Sequence, residues 1–321
     1  MASSAVPLHP QTVRFLEMLA EWGPPPGQLP SVEEMRRNIR VHRLPYHGVP
    51  PTVPRVADAV VAGPAGDIPV RVYHPAPGRV LPALIYFHGG GWVIGDIETV
   101  DQLCRDLALR ADCAVINVGY RLAPEDPFPA AVEDVWAVTA DVVGDPEKYG
   151  VDSRAVAVAG DSAGGNLAAV VANRARDEAI ALVHQLLIYP VADAAMDTGS
   201  YADFAVGYGL DATGMAWFLD LYAGGADRAD PRLAPLRAPD LTGVAPATVI
   251  TAECDVLRDE GEAYAERLAA AGAEVALRRY DGVVHAFFVL PEIFDAANEA
   301  REWAVSRLRT AFETSMQGEP A

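Results

Sequence analysis

From Val70 onward the chain repeats one rhythm: a short apolar run, a turn, a helical stretch, then another apolar run. The strand candidates are Val70–Tyr73, Ala83–Phe87, Ala114–Val118, Ala155–Ala159, Leu186–Tyr189, Ala247–Thr251 and Glu274–Arg279. Helical patterns fall between them at Thr99–Arg110, Ala130–Val142, Gly164–Arg176 and Leu257–Ala271, with a last one near Ala296–Phe312. The central runs are apolar at consecutive rather than alternate positions, which marks strands buried on both faces. Strands of that kind alternating with helices build a mostly parallel sheet flanked by helices, an α/β fold with right-handed crossovers.

Two segments break the rhythm. Pro10–Arg43 holds two helical patterns split by Gly23-Pro24-Pro25-Pro26-Gly27, and a Pro-rich stretch follows to Pro54. Ala192–Leu233 separates two strands by far more than an ordinary βα loop and carries Trp217, Phe218, Leu219, Leu221 and Tyr222 in one helical span. Long excursions of this kind build lids or pockets above a sheet, the plainer alternative being a surface insertion. The expected division is an N-terminal cap segment at 1–54, a catalytic domain at 55–191 and 234–321, and a central cap insertion at 192–233.

The charge balance excludes several classes of partner. Asp plus Glu number 44 against 25 Lys plus Arg, a net charge of −19, and Lys148 is the only lysine. Such a chain repels phosphate backbones and anionic membrane surfaces, so no nucleic-acid partner is expected. No apolar run is long enough to span a bilayer, and Met1–Pro10 lacks the basic and apolar regions of a signal peptide. The cysteines Cys104, Cys113 and Cys254 are odd in number and widely spaced, which fits a reducing cytoplasm and argues against a disulfide framework. No metal-ligand spacing or dinucleotide fingerprint occurs, so neither metal nor cofactor is expected.

The sharpest chemical signal is Gly160-Asp161-Ser162-Ala163-Gly164, a GxSxG between a strand and a helix. Small neighbours there permit a strained turn that exposes the serine hydroxyl. A serine needs a base, and the base needs an orienting acid. His285 follows the last strand; Asp255 follows the strand Ala247–Thr251, with Glu253 a weaker competitor for the acid. Ser162, Asp255 and His285 thus occur in the order Ser…Asp…His near strand ends, the arrangement that an α/β-hydrolase fold requires. Asp259 and Glu260 read as carboxylates favoured by the dipole of the following helix. His88-Gly89-Gly90-Gly91-Trp92 follows another strand, and its glycines let backbone amides approach a developing oxyanion. The amide after the nucleophile, that of Ala163, is the expected partner of this loop. His88 itself reads as a residue that holds the loop rather than a catalytic one.

These segments, with Tyr120-Arg121-Leu122-Ala123-Pro124-Glu125 and Gly165-Asn166, resemble the hormone-sensitive-lipase family of bacterial carboxylesterases from about Val70 to the C-terminal helix. The resemblance implies an α/β-hydrolase fold with a helical cap. It implies Ser162 as nucleophile, His285 as base, Asp255 as orienting acid, and Gly90, Gly91 and Ala163 as oxyanion donors. Two positions depart from the family pattern: Ala286 stands where Gly is usual, and Val256 where Pro is common. A Cβ at 286 threatens the histidine loop if a positive φ is needed there.

The expected activity is therefore hydrolysis of short- to medium-chain acyl esters through an acyl-enzyme. Another acyl class (amide, thioester, lactone or carbamate) on the same triad is the alternative, and a non-catalytic small-molecule receptor of the same fold is the remote one. Trp92, Phe287 and Phe288, with Trp217, Phe218 and Tyr222 of the insertion, are candidates for the substrate pocket (Trp92, Trp217 and Phe287 foremost), although the insertion aromatics would serve equally as glue between cap and sheet. The resemblance also implies a homodimer, for which the edge strand Glu274–Arg279 offers backbone that could pair with a copy of itself.

Overall fold

The computed structural model describes residues 7–23 and 30–317. The prolines expected to separate the first two helices, at 24–26, lie outside the described residues, as do the first six residues. The strands are β1 (Arg55–Gly63), β2 (Gly66–His74), β3 (Leu81–Phe87), β4 (Ala114–Val118), β5 (Val151–Asp161), β6 (His184–Ile188), β7 (Ala247–Cys254) and β8 (Val275–Val284). The helices are α1 (Pro10–Trp22), α2 (Val32–Asn38), α3 (Asp101–Ala111), α4 (Ala130–Gly144), α5 (Pro146–Tyr149), α6 (Ala163–Asp177), α7 (Gly199–Asp203), α8 (Ala212–Ala223), α9 (Arg258–Ala270) and α10 (Asp295–Gln317).

The eight strands form one sheet in the order β1-β2-β4-β3-β5-β6-β7-β8. From β4 to β8 every neighbouring pair is parallel, while β1 pairs with β2 and β2 with β4 in antiparallel fashion. Every residue of β3, β4 and β6 is buried, as the consecutive apolar runs require when helices cover both faces. Helices α3 and α10 pack together over one face. The other face carries α4, α6 and α9, with the Tyr264 hydroxyl of α9 donating to Asn173 of α6 at 3.1 Å.

One strand escapes the sequence reading. Arg55–Gly63 is built mainly of valine and alanine, is interrupted by Asp58 and leaves much of its length exposed. It is held by a full ladder to β2 rather than by burial. A second difference concerns β8, which runs five residues beyond the expected end and delivers His285 directly from its last residue.

The strand order explains where a site can form. The connection after β3 leads to β4 on one side, and the sheet continues from β5 to β6 on the other. The chain thus diverges at the carboxyl ends of β3 and β5, the crevice where open α/β sheets bind ligands. The glycine loop leaves β3 at that point, and Ser162 leaves β5.

Candidate active site

Ser162 joins β5 to α6 with φ +57° and ψ −119°, a conformation that costs a non-glycine residue of order 1–3 kcal/mol. The surroundings hold it there. Its amide donates to the Ile188 carbonyl at 2.8 Å, and its own carbonyl accepts from Asn166 at 3.0 Å. Gly164 lies so close to β3 that a Cβ would collide with the Phe87 carbonyl, so glycine is obligatory at this crossing. Strain at this turn aims the hydroxyl out of the sheet rather than into it.

The Ser162 hydroxyl lies 2.9 Å from His285 Nε2, and His285 Nδ1 lies 2.6 Å from Asp255 Oδ2. A carboxylate only accepts, so Nδ1 carries the proton, and Nε2 is left to accept from the serine. Asp255 is fully buried, with its second oxygen accepting the Leu257 amide at 3.0 Å. The Ser200 hydroxyl donates to the Val256 carbonyl at 2.6 Å. The turn after Asp255 is therefore pinned by hydrogen bonds without the usual proline. Ala286 adopts φ +68°, the left-handed conformation for which glycine is the easy choice. Glu253, the competing acid, points elsewhere and accepts the Gly282 amide at 2.7 Å.

Gly90 and Gly91 line one cavity together with Ser162 and His285. Gly90 has φ +122°, and a Cβ there would collide with the Ile94 carbonyl. Ala163 opens α6, so its amide is among the first-turn donors without an intrahelical acceptor. The loop is braced from behind. Asp161, beside the serine, accepts the Gly89 amide at 3.0 Å and the Tyr86 hydroxyl at 2.9 Å. Burial pushes the Asp161 carboxyl above its ordinary pKa, against those two hydrogen bonds. Sequence reading passed over Asp161 as the variable position of the motif. The signal was a charged residue among small ones.

His88 holds the loop, as its neighbourhood suggested. Its Nδ1 sits 2.9 Å from the Gly89 carbonyl, its ring stacks on Tyr120 at 4.3 Å, and the Tyr120 hydroxyl donates to its carbonyl at 2.7 Å. Burial lowers its pKa to about 4. The rest of that segment has equally concrete work. Arg121 pairs with Asp134 of α4 at 2.7 Å, and Glu125 pairs with Arg36 of α2 at 2.7 Å, tying the N-terminal helices to the sheet. Asn166 donates to the carbonyls of Val191 and Leu233, which clamps both ends of the 192–233 excursion to α6. Glu260 is no surface dipole partner. Fully buried, it accepts the Ala192 amide at 2.8 Å and the Asp193 amide at 3.3 Å, and burial raises its pKa well above the ordinary value.

Of the aromatic pocket candidates Phe218 lines the cavity, whereas Trp92, Trp217 and Phe287 do not. Trp92 is fully buried and stacks face to face on Tyr222 at 4.2 Å. Phe287 is fully buried against Tyr189 and Tyr280. Trp217 packs edge-on against Phe218 at 5.1 Å. On α8 the residues facing the cavity are Asp211, Gly214, Met215 and Phe218, a helical spacing that turns Trp217 about 100° away from Phe218. The apolar wall is built instead from Phe15, Leu19, Met35 and Ile39 of the N-terminal segment, with Met215 and Phe218 opposite. The enclosed volume is about 250 Å³.

Comparison with known proteins agrees with this geometry. A family model described as alpha/beta hydrolase fold matches residues 84–289. Carboxylic ester hydrolase LipN of Mycobacterium tuberculosis is 44% identical over 263 residues, covering 79% of this chain and 70% of its own. Ethyl acetate hydrolase of Pseudomonas putida is 42% identical over 248 residues, covering 75% of this chain and 78% of its own. The hyperthermophilic esterase of the archaeon Pyrobaculum calidifontis superposes with a TM-score of 0.90 at 40% identity, covering 95% of this chain and 98% of that one. The chain belongs to the α/β-hydrolase family, in the hormone-sensitive-lipase group.

Proposed function

We propose that the protein is a serine carboxylesterase that hydrolyses short- to medium-chain acyl esters through an acyl-enzyme. The observation that carries this reading is the unbroken chain from Asp255 through His285 to Ser162, opening on a cavity faced by Gly90 and Gly91. His285 takes the hydroxyl proton as Ser162 attacks the ester carbonyl. The amides of Gly90, Gly91 and Ala163 stabilise the oxyanion, and the imidazolium then protonates the departing alcohol. Water, deprotonated by the same histidine, cleaves the acyl-enzyme and restores the serine.

An apolar cavity of about 250 Å³ supports acyl groups of short to medium length. Its wall draws on chain before residue 55 and on the 192–233 excursion, which supports their assignment as caps over a catalytic domain at 55–191 and 234–321. Ester-cleaving relatives favour this acyl class over amide, thioester, lactone or carbamate. Among the described residues no group of side chains could hold a metal ion, and no helix is long and apolar enough to cross a membrane. A cytoplasmic setting is supported by three unpaired, buried cysteines. A homodimer is supported by the outer edge of β8, whose backbone pairs with β7 on one side alone.

The test is covalent labelling with a fluorophosphonate, followed by a panel of p-nitrophenyl esters graded by acyl length. Labelling that disappears in Ser162→Ala, with turnover greatest on short to medium acyl groups, is the expected result. Faster turnover on emulsified long-chain triglyceride would sink the chain-length assignment. Undiminished labelling of Ser162→Ala would sink the nucleophile.

A further inference from the structure

Arginine supplies nearly all the positive charge of this chain, and almost every sheltered arginine has a partner. Among the described residues, Arg14, Arg37, Arg43, Arg55 and Arg309 have neither an ion pair nor a side-chain hydrogen bond; all but Arg43 are exposed. Arg43 closes the short helical turn after α2 and lines the cavity that contains Ser162 and His285. The residue is half-buried by surface area, yet its guanidinium is desolvated enough for burial to lower its pKa.

Among the described residues no anion within the wall answers this charge. The carboxylates there are Asp161 and Asp211, and both are committed. Asp161 accepts from Gly89 and Tyr86, and Asp211 caps α8 through the Gly214 amide at 2.7 Å. Close at hand, the Tyr189 hydroxyl is buried with no hydrogen-bond partner and within electrostatic range of Arg43. The Tyr189 ring packs on His285 at 4.7 Å, and Arg43 and His285 line the same cavity. A desolvated guanidinium without a counter-ion is costly, and a ligand that brings one recovers that cost.

We propose that Arg43 forms an anion subsite in the active-site cavity and selects esters carrying a free carboxylate a short chain away from the scissile carbonyl. Half-esters of short dicarboxylic acids are the substrate class with that chemistry. The inference rests on the esterase reading above. The same chemistry could come from the carboxylate of the acid product, but that group is born at Ser162 beside the glycine loop. Arg43 belongs to the N-terminal wall of the cavity.

The experiment compares kcat/KM for monoethyl glutarate and ethyl valerate, esters matched in acyl length, in the wild type, Arg43→Met and Arg43→Lys. The ratio of anionic to neutral ester falls at least about tenfold in Arg43→Met, mainly through KM, and Arg43→Lys restores most of it. An unchanged ratio, or equal losses on both esters, overturns the proposal. A third arm measures inhibition of ethyl valerate hydrolysis by valerate. If Arg43→Met relieves that inhibition without altering the ratio, the arginine serves the product and the proposal fails. Should the wild type hydrolyse neither ester and resist fluorophosphonate, the esterase reading falls and takes the subsite with it.

Discussion

Ala286 offers the most direct test of how this chain tolerates its departure from the family motif. The residue sits at φ +68°, ψ 7°, immediately after His285, with its methyl half-exposed on the cavity wall. A left-handed conformation costs an L-residue about 1–2 kcal/mol. Replacing Ala286 with Gly removes that strain but adds about 0.4–1 kcal/mol of unfolded-chain entropy. It also deletes a half-buried methyl, about 0.4 kcal/mol by its buried share. These contributions largely offset, so Ala286→Gly changes stability by between about −0.4 and +1.2 kcal/mol, a gain of about 0.4 kcal/mol at the centre of the ranges. Ala286→Val is the informative partner, because a β-branched side chain is a severe outlier at positive φ. We expect it to cost about 2 kcal/mol or more. It should also lower kcat on a short-acyl ester, since relaxing the strain displaces His285 from Ser162. Urea unfolding followed by tryptophan fluorescence reads the stability, and the same samples give kcat. Valine tolerated without loss of either would mean that the backbone at 286 is not left-handed in solution, and the reasoning would fail. Glycine destabilising by more than about 1 kcal/mol would do the same.

Three other outcomes follow from the geometry. Asp255→Asn keeps the shape but favours the wrong imidazole tautomer, so kcat/KM and fluorophosphonate labelling should fall together by about 10²–10⁴; an unchanged labelling rate would assign the orienting role elsewhere. Burial favours the uncharged form of Glu260, and Glu260→Gln keeps an acceptor for the Ala192 and Asp193 amides, so it should leave stability within about 1 kcal/mol, whereas Glu260→Ala should cost about 2–3 kcal/mol by orphaning those amides; equal losses in urea melts would contradict this. His88 and His184 have pKa values lowered to about 4 by burial, so the unfolded chain binds protons that the folded one refuses between about pH 6.5 and 4. Stability therefore falls as pH drops through that window, by up to about 3 kcal/mol for each histidine, and a His88 imidazole resonance titrating near pH 6.5 would refute it.

The parts of the site that were readable in the sequence share a physical property: each is local to a strand end. The Ser162 turn, the glycine loop and the segments of Asp255 and His285 lie at the carboxyl ends of β5, β3, β7 and β8. Strand periodicity alone therefore brings them to one edge of the sheet. What was not readable depends on direction or on distant partners. Trp92 is adjacent in sequence to the glycine loop, yet its side chain turns onto Tyr222 and away from the cavity. Trp217 and Phe218 look alike in a helical span, and only the docking of α8 decides which one meets substrate. Arg43 carries no motif at all; its meaning comes from having no acid partner among the described residues. β1, mainly valine and alanine interrupted by Asp58, is held by its ladder to β2.

The division of labour around the cavity bears on how such a protein can change over generations. Reacting groups hang from strand ends in the middle of the sheet, where neighbouring ladders and a glycine packed against the Phe87 carbonyl leave almost no substitution neutral. Much of the cavity wall comes from helices drawn from remote stretches of chain and fastened by a few bonds, such as Arg36 to Glu125 and Asn166 to Val191 and Leu233. Mutations can therefore accumulate in the wall without disturbing the bond-breaking atoms. A lineage built this way is free to explore new esters while inheriting its chemistry intact.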